Sequence, residues 1–317
     1  MKKAFVVLCV VAVLALSFSF VSAADGPDMG VLKGLTIGFS QCDNMNSWRV
    51  AETNSMKDVG EKYGVNYLFT DAGGDIAKQA SDIQDLIAQG VDYLVIAPQQ
   101  EDGLQAAITE AMESDIPVIL VDRTINGEAG VDYTAAIMSD FVWEAEQVAD
   151  VLIKATGGKG NIVIIQGTQG ATSTIDRQNG FMSKIEGTDL KVVADQVGNY
   201  TLDGGQAVME AVLQAWGEDI DAVYAHNDDM ALGAVAAIEA AGFNPADFNI
   251  CGVDSPKSAL QSIVDGKMLC SCSCSPLFGE AAYTLIAKMA SGMEYDLFTK
   301  NEDTLYTIEN ADPELGF

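Results

Sequence analysis

From Leu35 onward, short apolar runs rich in β-branched residues alternate with amphipathic stretches of helical length along almost the whole chain. The runs at 36–40, 66–70, 93–96, 118–121, 135–138, 162–165, 191–197, 222–225 and 250–253 predict strands, because they are short, continuous and bounded by turn residues. Apolar positions three and four apart predict helices over 47–63, 76–89, 104–114, 141–156, 204–216 and 231–241. Strict alternation of this kind implies parallel sheets with helices on both faces. Nine strands exceed one ordinary doubly wound sheet, so two sheets, each with its own helices, are expected. No Pro- or Ser-rich linker separates them. The β/α rhythm first stretches between Arg123 and Tyr133, around Asn126, Gly127 and Gly130, which marks the expected approach to the crossing from one sheet to the other. Neither a solenoid repeat nor a low-complexity tract interrupts the pattern.

The pattern breaks only at the start. Lys2 and Lys3 precede an apolar run over 4–16 that ends at Val21-Ser22-Ala23, the form of an export signal cleaved near Ala23. Ser17, Ser19 and Ser22 interrupt the run before the roughly 20 apolar residues that a membrane helix needs. No Cys stands at the cleavage point to take a lipid, and no second segment is long and apolar enough to span a membrane. The expectation is an exported protein of about two ordinary domains.

Charge narrows the partners. The chain holds 17 Lys plus Arg against 46 Asp plus Glu, and without Lys2 and Lys3 the balance is 15 against 46, or −31. Such a field repels nucleic acid and anionic membranes, since phosphate recognition requires clustered Lys and Arg. Five cysteines lie beyond the leader, and Cys270, Cys272 and Cys274 alternate along a probable strand. Side chains two apart on a strand share one face about 7 Å apart, too wide for a disulfide. With a single His in the chain there is no metal-ligand spacing, so these cysteines are read as small core residues.

Candidate chemistry gathers where strands end. Val121-Asp122-Arg123, Gly170 to Arg177 and Ala225-His226-Asn227-Asp228-Asp229 each follow a predicted strand, and ligands in open α/β sheets sit at that edge. Gly157-Gly158-Lys159-Gly160 is not a phosphate loop, because it follows a helix and precedes a strand, the reverse of what such a loop requires. His226 is the only histidine, and no Gly-x-Ser-x-Gly elbow accompanies it, which argues against nucleophilic catalysis. Asp122, Arg123, Arg177, Asn227 and Asp254 instead form a set of planar donors and acceptors suited to the vicinal hydroxyls of a sugar. Trp48 and Tyr200 are placed to meet its apolar C–H faces.

These stretches resemble the periplasmic sugar-binding proteins of ABC transporters, in the group containing the ribose-binding proteins. Three features are most similar to galactofuranose-binding members: Gly38-Phe39-Ser40-Gln41 followed by Trp48-Arg49-Val50-Ala51-Glu52-Thr53-Asn54; Gly167 to Phe181 with Ile175-Asp176-Arg177; and Tyr224 to Met230. The resemblance extends from about Leu35 to past Pro276. It implies a periplasmic binding protein type I fold, two Rossmann-like lobes joined by a three-strand hinge with the ligand in the cleft. The N-terminal lobe would take 31–138 and about 275–298, and the C-terminal lobe about 139–274 and 299–317. By position, Asn46, Trp48 and Arg49 match the first binding loop, Asp122 and Arg123 the second, and Arg177 the Arg of the Gly-rich loop. Tyr200 matches an aromatic wall, and Asn227 and Asp254 the hydroxyl-binding pair. The third crossing would fall near Cys274, where ribose-binding members carry a sugar-contacting Gln; Cys274 and Arg49 both depart from the ribose pattern.

The resemblance implies a monomeric receptor that delivers a monosaccharide, galactofuranose or a similar aldose, to an ABC permease, with no cofactor, metal or catalytic residue. Two alternatives stand beside it. Arg49, Arg123 and Arg177 would suit a sugar acid, and the same lobes would serve a sensor that presents its ligand to a chemotaxis or signalling protein. Transcription regulators share such lobes, but the leader and the lack of a basic helix-turn-helix head oppose that reading.

Overall fold

The computed structural model describes residues 26–317, so the leader expected at 1–23 lies outside the described residues. The first sheet is built from β1 (Thr36–Gln41), β2 (Asn66–Asp71), β3 (Tyr93–Ile96), β4 (Val118–Val121) and β5 (Ala135–Met138), joined by α1 (Ser47–Tyr63), α2 (Ile76–Ala88) and α3 (Gln105–Glu113). The chain then crosses to a second unit of α4 (Phe141–Thr156), β6 (Lys159–Gln166), α5 (Thr172–Ile185), β7 (Asp189–Val197), α6 (Leu202–Trp216), β8 (Ala222–Ala225), α7 (Asp228–Ala240), β9 (Ile250–Asp254), α8 (Lys257–Val264) and β10 (Cys270–Ser273). It returns to place α9 (Gly279–Ala290) on α1 and β11 (Phe298–Lys300) beside β5, and crosses once more to end with β12 (Leu305–Thr307) antiparallel to β10. Gly279 lets α9 dock closely, since a Cβ there would lie 2.4 Å from the Ser55 carbonyl oxygen of α1.

The two sheets repeat one topology, β2-β1-β3-β4-β5-β11 and β7-β6-β8-β9-β10-β12. Apart from the β10–β12 pair, the strands among the described residues pair in parallel. In each sheet the order reverses beside one strand, β1 or β6, and that reversal opens a crevice at the carboxyl ends. Both faces are covered, which is why the central strands read as continuous apolar runs. In β3 and β4, Val95, Ile119 and Val121 face one core while Leu94, Ile96, Val118 and Leu120 face the other. In β6 and β8, Ile162, Ile164 and Tyr224 alternate with Val163, Ile165 and Val223 in the same way. The inner cores of the two lobes merge through Phe141, Cys272, Cys274 and Phe278.

Three crossings, at 139–140, 274–278 and 301–304, connect the lobes. They are tied together: Lys300 pairs with Asp140 at 2.8 Å, Ser273 Oγ lies 3.4 Å from Asp303 Oδ1, and Cys274 Sγ lies 3.6 Å from Ser139 Oγ. Some expectations shift. The stretched 123–133 segment joins two neighbouring strands of one sheet, and β5 intervenes before the chain crosses. The expected boundary at 298/299 cuts β11, whose three residues all pair with β5, so the first sheet extends to Lys300. Cys274 opens the second crossing in chain order, and the third lies at 301–304. Gly157 does stop a helix, as the left-handed C-cap of α4, whereas Lys159 and Gly160 already belong to β6. The five described cysteines are free and buried, and Cys270 has a neighbour that same-strand spacing does not reveal: Cys251 opposite it on β9, Sγ to Sγ 3.1 Å.

Candidate ligand site

The carboxyl ends of β1, β4, β6, β7, β8 and β9 lead into the side chains that line the cleft. Asn46 caps α1 after β1, its side chain accepting from the Arg49 N–H at 2.8 Å, and this fixes Trp48 and Arg49 in the first helical turn facing inward. Asn227 caps α7 after β8 in the same manner, accepting from the Met230 N–H at 3.0 Å. The two asparagines meet on one acceptor: both side-chain amides donate to the Tyr200 carbonyl, at 3.1 Å and 3.3 Å. Tyr200 takes a left-handed φ of 60°, and its hydroxyl is held by Ser173 and Thr174 at 2.9 Å each. Gly167 makes room for the ring, since a Cβ there would lie 1.9 Å from it.

All nine residues expected at the site, Asn46, Trp48, Arg49, Asp122, Arg123, Arg177, Tyr200, Asn227 and Asp254, line one cavity between the lobes, joined by Ser173 and Cys274. Both lobes line the cavity, and its walls are mostly polar or charged side chains. Trp48 lines it with its indole N–H already committed, donating to the Cys274 carbonyl of the hinge at 2.7 Å. The Arg49 guanidinium stands 4.7 Å from the Trp48 ring centroid, and that of Arg123 5.3 Å from the Tyr200 ring.

The arginines are restrained by carboxylates. Arg49 bonds Asp122 at 2.5 Å and Glu52 at 2.7 Å. Arg123 approaches Asp122 at 3.5 Å and donates to the Gln99 carbonyl at 3.1 Å. Arg177 bonds Glu144 at 2.9 Å and the His226 carbonyl at 2.7 Å, and lies 3.5 Å from Asp254. Burial pushes the carboxyls of Glu52 and Glu144 up to about 7 despite the arginines beside them. Burial also raises Asp254 well above the ordinary carboxylate range, with Arg177 opposing the rise.

Glu52, Glu144, Ser173 and Cys274 were not among the expected site residues. The two glutamates left a signal: Glu52 stands three residues after Arg49 on one helix, and Glu144 falls on the apolar stripe of α4 with Phe141, Ala145, Val148 and Leu152. A charge on an apolar stripe announces a buried partner. His226 lies behind the cavity. It is fully buried, accepts the Gly167 N–H on Nδ1 at 3.4 Å, and has Nε2 3.1 Å from Gln178 Oε1. Burial, aided by Arg177, lowers its pKa to about 3, so the ring is neutral.

The sequence matches the model of the periplasmic binding protein domain over residues 37–294. It is 35% identical to the galactofuranose-binding protein YtfQ of Escherichia coli over 303 residues, 94% of this chain and 95% of that protein. Among solved structures it is similar to a Mycobacterium smegmatis protein in complex with β-D-fucofuranose, with TM-score 0.85 and 38% identity over 89% of this chain and 94% of that one. It is also similar to the periplasmic binding protein component of the arabinose ABC transporter of Shewanella sp. ANA-3, bound to α- and β-L-arabinofuranose, with TM-score 0.83 and 35% identity over 87% and 93% of the two chains. The chain belongs to the periplasmic binding protein domain family and has its two-lobed type I fold.

Proposed function

We propose that this protein is an exported, monomeric receptor that captures one neutral monosaccharide, galactofuranose or a similar furanose, between its lobes and delivers it to an ABC permease. The observation that carries the reading is the cavity itself: planar donors and acceptors from both lobes, with two aromatic residues, converge on one space. Furanose-binding relatives and furanose-bound structures support the ring form. Because both lobes line the cavity, a bound sugar favours the closed arrangement over the open one.

The ion pairs already in place favour a neutral ligand over a sugar acid. Arg49 is partnered by Asp122 and Glu52, and Arg177 by Glu144 and the His226 carbonyl. An anion entering this cavity would have to displace an existing ion pair, whereas hydroxyls need only share its hydrogen bonds.

Thermal unfolding against a panel of pentoses, hexoses, furanosides and uronic acids tests the proposal. A ligand at 100 times its Kd adds about 2.7 kcal/mol to the folded state. A shift with a neutral furanose or its parent sugar is the expected result. A shift confined to acids would transfer the assignment to the arginines, and no shift across the panel would remove the sugar reading.

A further inference from the structure

We propose that Asp229 is a closure latch: it sets how firmly the lobes hold a ligand without touching that ligand. The inference rests on the receptor reading for its effect on sugar affinity. It stands on the geometry of the cleft rim for its effect on closure.

Asp229 is the second residue of α7, after the Asn227 cap, and Ser47 is the first residue of α1, after the Asn46 cap. These two helix starts face each other from opposite lobes. The Asp229 carboxylate reaches across and accepts from the Ser47 backbone N–H at 3.1 Å and from the Ser47 hydroxyl at 3.1 Å and 3.3 Å. The first N–H groups of a helix have no partner within it, and the opposite lobe supplies one here. Two helix N-termini brought together would repel through their partial positive charges, and a carboxylate between them reverses the sign of that interaction.

The position is suited to this task. Asp229 does not line the cavity, yet it is two residues from Asn227, and Ser47 directly precedes Trp48 and Arg49. Ser47 is exposed and Asp229 half-buried, so truncating Asp229 opens no void in either core. Elsewhere across the cleft, the Glu101 N–H donates to the Gly170 carbonyl at 2.9 Å and the Thr124 N–H to Thr172 Oγ1 at 3.3 Å, both from the backbone. Asp229 is therefore a charged side chain whose removal weakens closure while leaving the cavity wall intact.

A latch changes the population of the closed form, and apparent affinity scales with that population whatever the sugar. Removing it should raise Kd by one common factor for every ligand and act on dissociation. A cavity residue would instead discriminate among sugars. Asp229→Ala is expected to weaken D-galactose, L-arabinose and a methyl galactofuranoside by the same factor, about three- to tenfold for hydrogen bonding lost at a partly exposed rim, where solvent screens the charge. Calorimetry and stopped-flow dissociation read this effect. Asp229→Asn, which keeps an acceptor but no charge, should fall between it and the wild type. Factors that differ among the sugars, or no change, would overturn the proposal.

Closure is read separately by electron–electron spin distances between labels at Asp58→Cys and Glu186→Cys, exposed on the two lobes, in protein without added sugar. Asp229→Ala should move the distribution toward the open form, and superimposable distributions would sink the latch. If no sugar binds the wild type, the receptor reading fails while the distances still decide the latch.

Discussion

Asp254 carries a backbone φ of 119° and Ser255 one of 58°, conformations that residues with a side chain seldom take. Asp228 holds them there. Its Oδ2 accepts from the Ser255 N–H at 2.7 Å and from Ser271 Oγ at 2.5 Å, so a fully buried carboxyl pins the turn that aims Asp254 at the cavity. Burial pushes the Asp228 carboxyl up to about 8, with its hydrogen bonds opposing the rise. The sign of the consequence follows. An unfolded Asp loses its proton near pH 4, whereas the folded one keeps it to about 8, so the folded state binds more protons throughout that window. The contribution is full below about pH 4 and declines by up to about 1.4 kcal/mol per pH unit until the folded carboxyl ionises. Glu52 and Glu144 act in the same direction up to about 7. Asp228→Asn mimics the protonated form, so urea midpoints measured from pH 5 to 8 should fall less steeply for the variant than for the wild type. Equal slopes would show that Asp228 is ionised in the fold. Asp254 was legible in the sequence as a carboxylate at a strand exit, but the role of Asp228 was not, because its partner Ser271 comes from a strand 43 residues further on.

At the scale of elements, the strand–turn–helix units were readable because each carries its own signals. The Asn46 and Asn227 caps stand just before helical periodicity begins, and short, largely buried strands stand shortly before the caps. The elements that escaped lack such signals. α9 starts without a side-chain cap, α8 follows Pro256 with none, and β11 and β12 are three-residue strands with no buried residue to mark a period. Tyr200 shows how an element's neighbour sets the site. Its ring occupies the space where Gly167, in the turn after β6, has no side chain. Gly167→Ala would drive a methyl into that ring. Overpacking of this kind costs about 1–3 kcal/mol, and it would also displace the carbonyl that anchors Asn46 and Asn227. The variant should lose a comparable amount of stability in urea and bind sugar far more weakly than a mere loss of folded fraction explains. Unchanged affinity in the folded fraction would mean that the ring does not organise the cavity.

For the whole molecule, two sheets invite the expectation of two independently melting domains, and the core argues otherwise. A single apolar cluster runs from Phe39 and Ile119 in the first lobe through Phe141, Cys272 and Phe278 at the hinge to Ile164 and Tyr224 in the second. The Lys300–Asp140 pair and the Ser273–Asp303 contact join the same crossings. Domain interfaces within a chain are commonly polar and weak, which lets domains unfold separately. Here the interface is continuous with the interior, so exposing one lobe strips apolar surface from the other. Calorimetry should therefore give one transition, with the calorimetric and van't Hoff enthalpies in agreement. A ligand held by both lobes strengthens the same coupling. At 100 times its Kd it should raise the single midpoint by about 5 °C, given the entropy of unfolding of a chain this size, without splitting the peak. Two peaks, only one of which moves with sugar, would mean that the hinge core transmits little and that the ligand is held by one lobe. The rim contact between Ser47 and Asp229 would then be the place where the lobes first part.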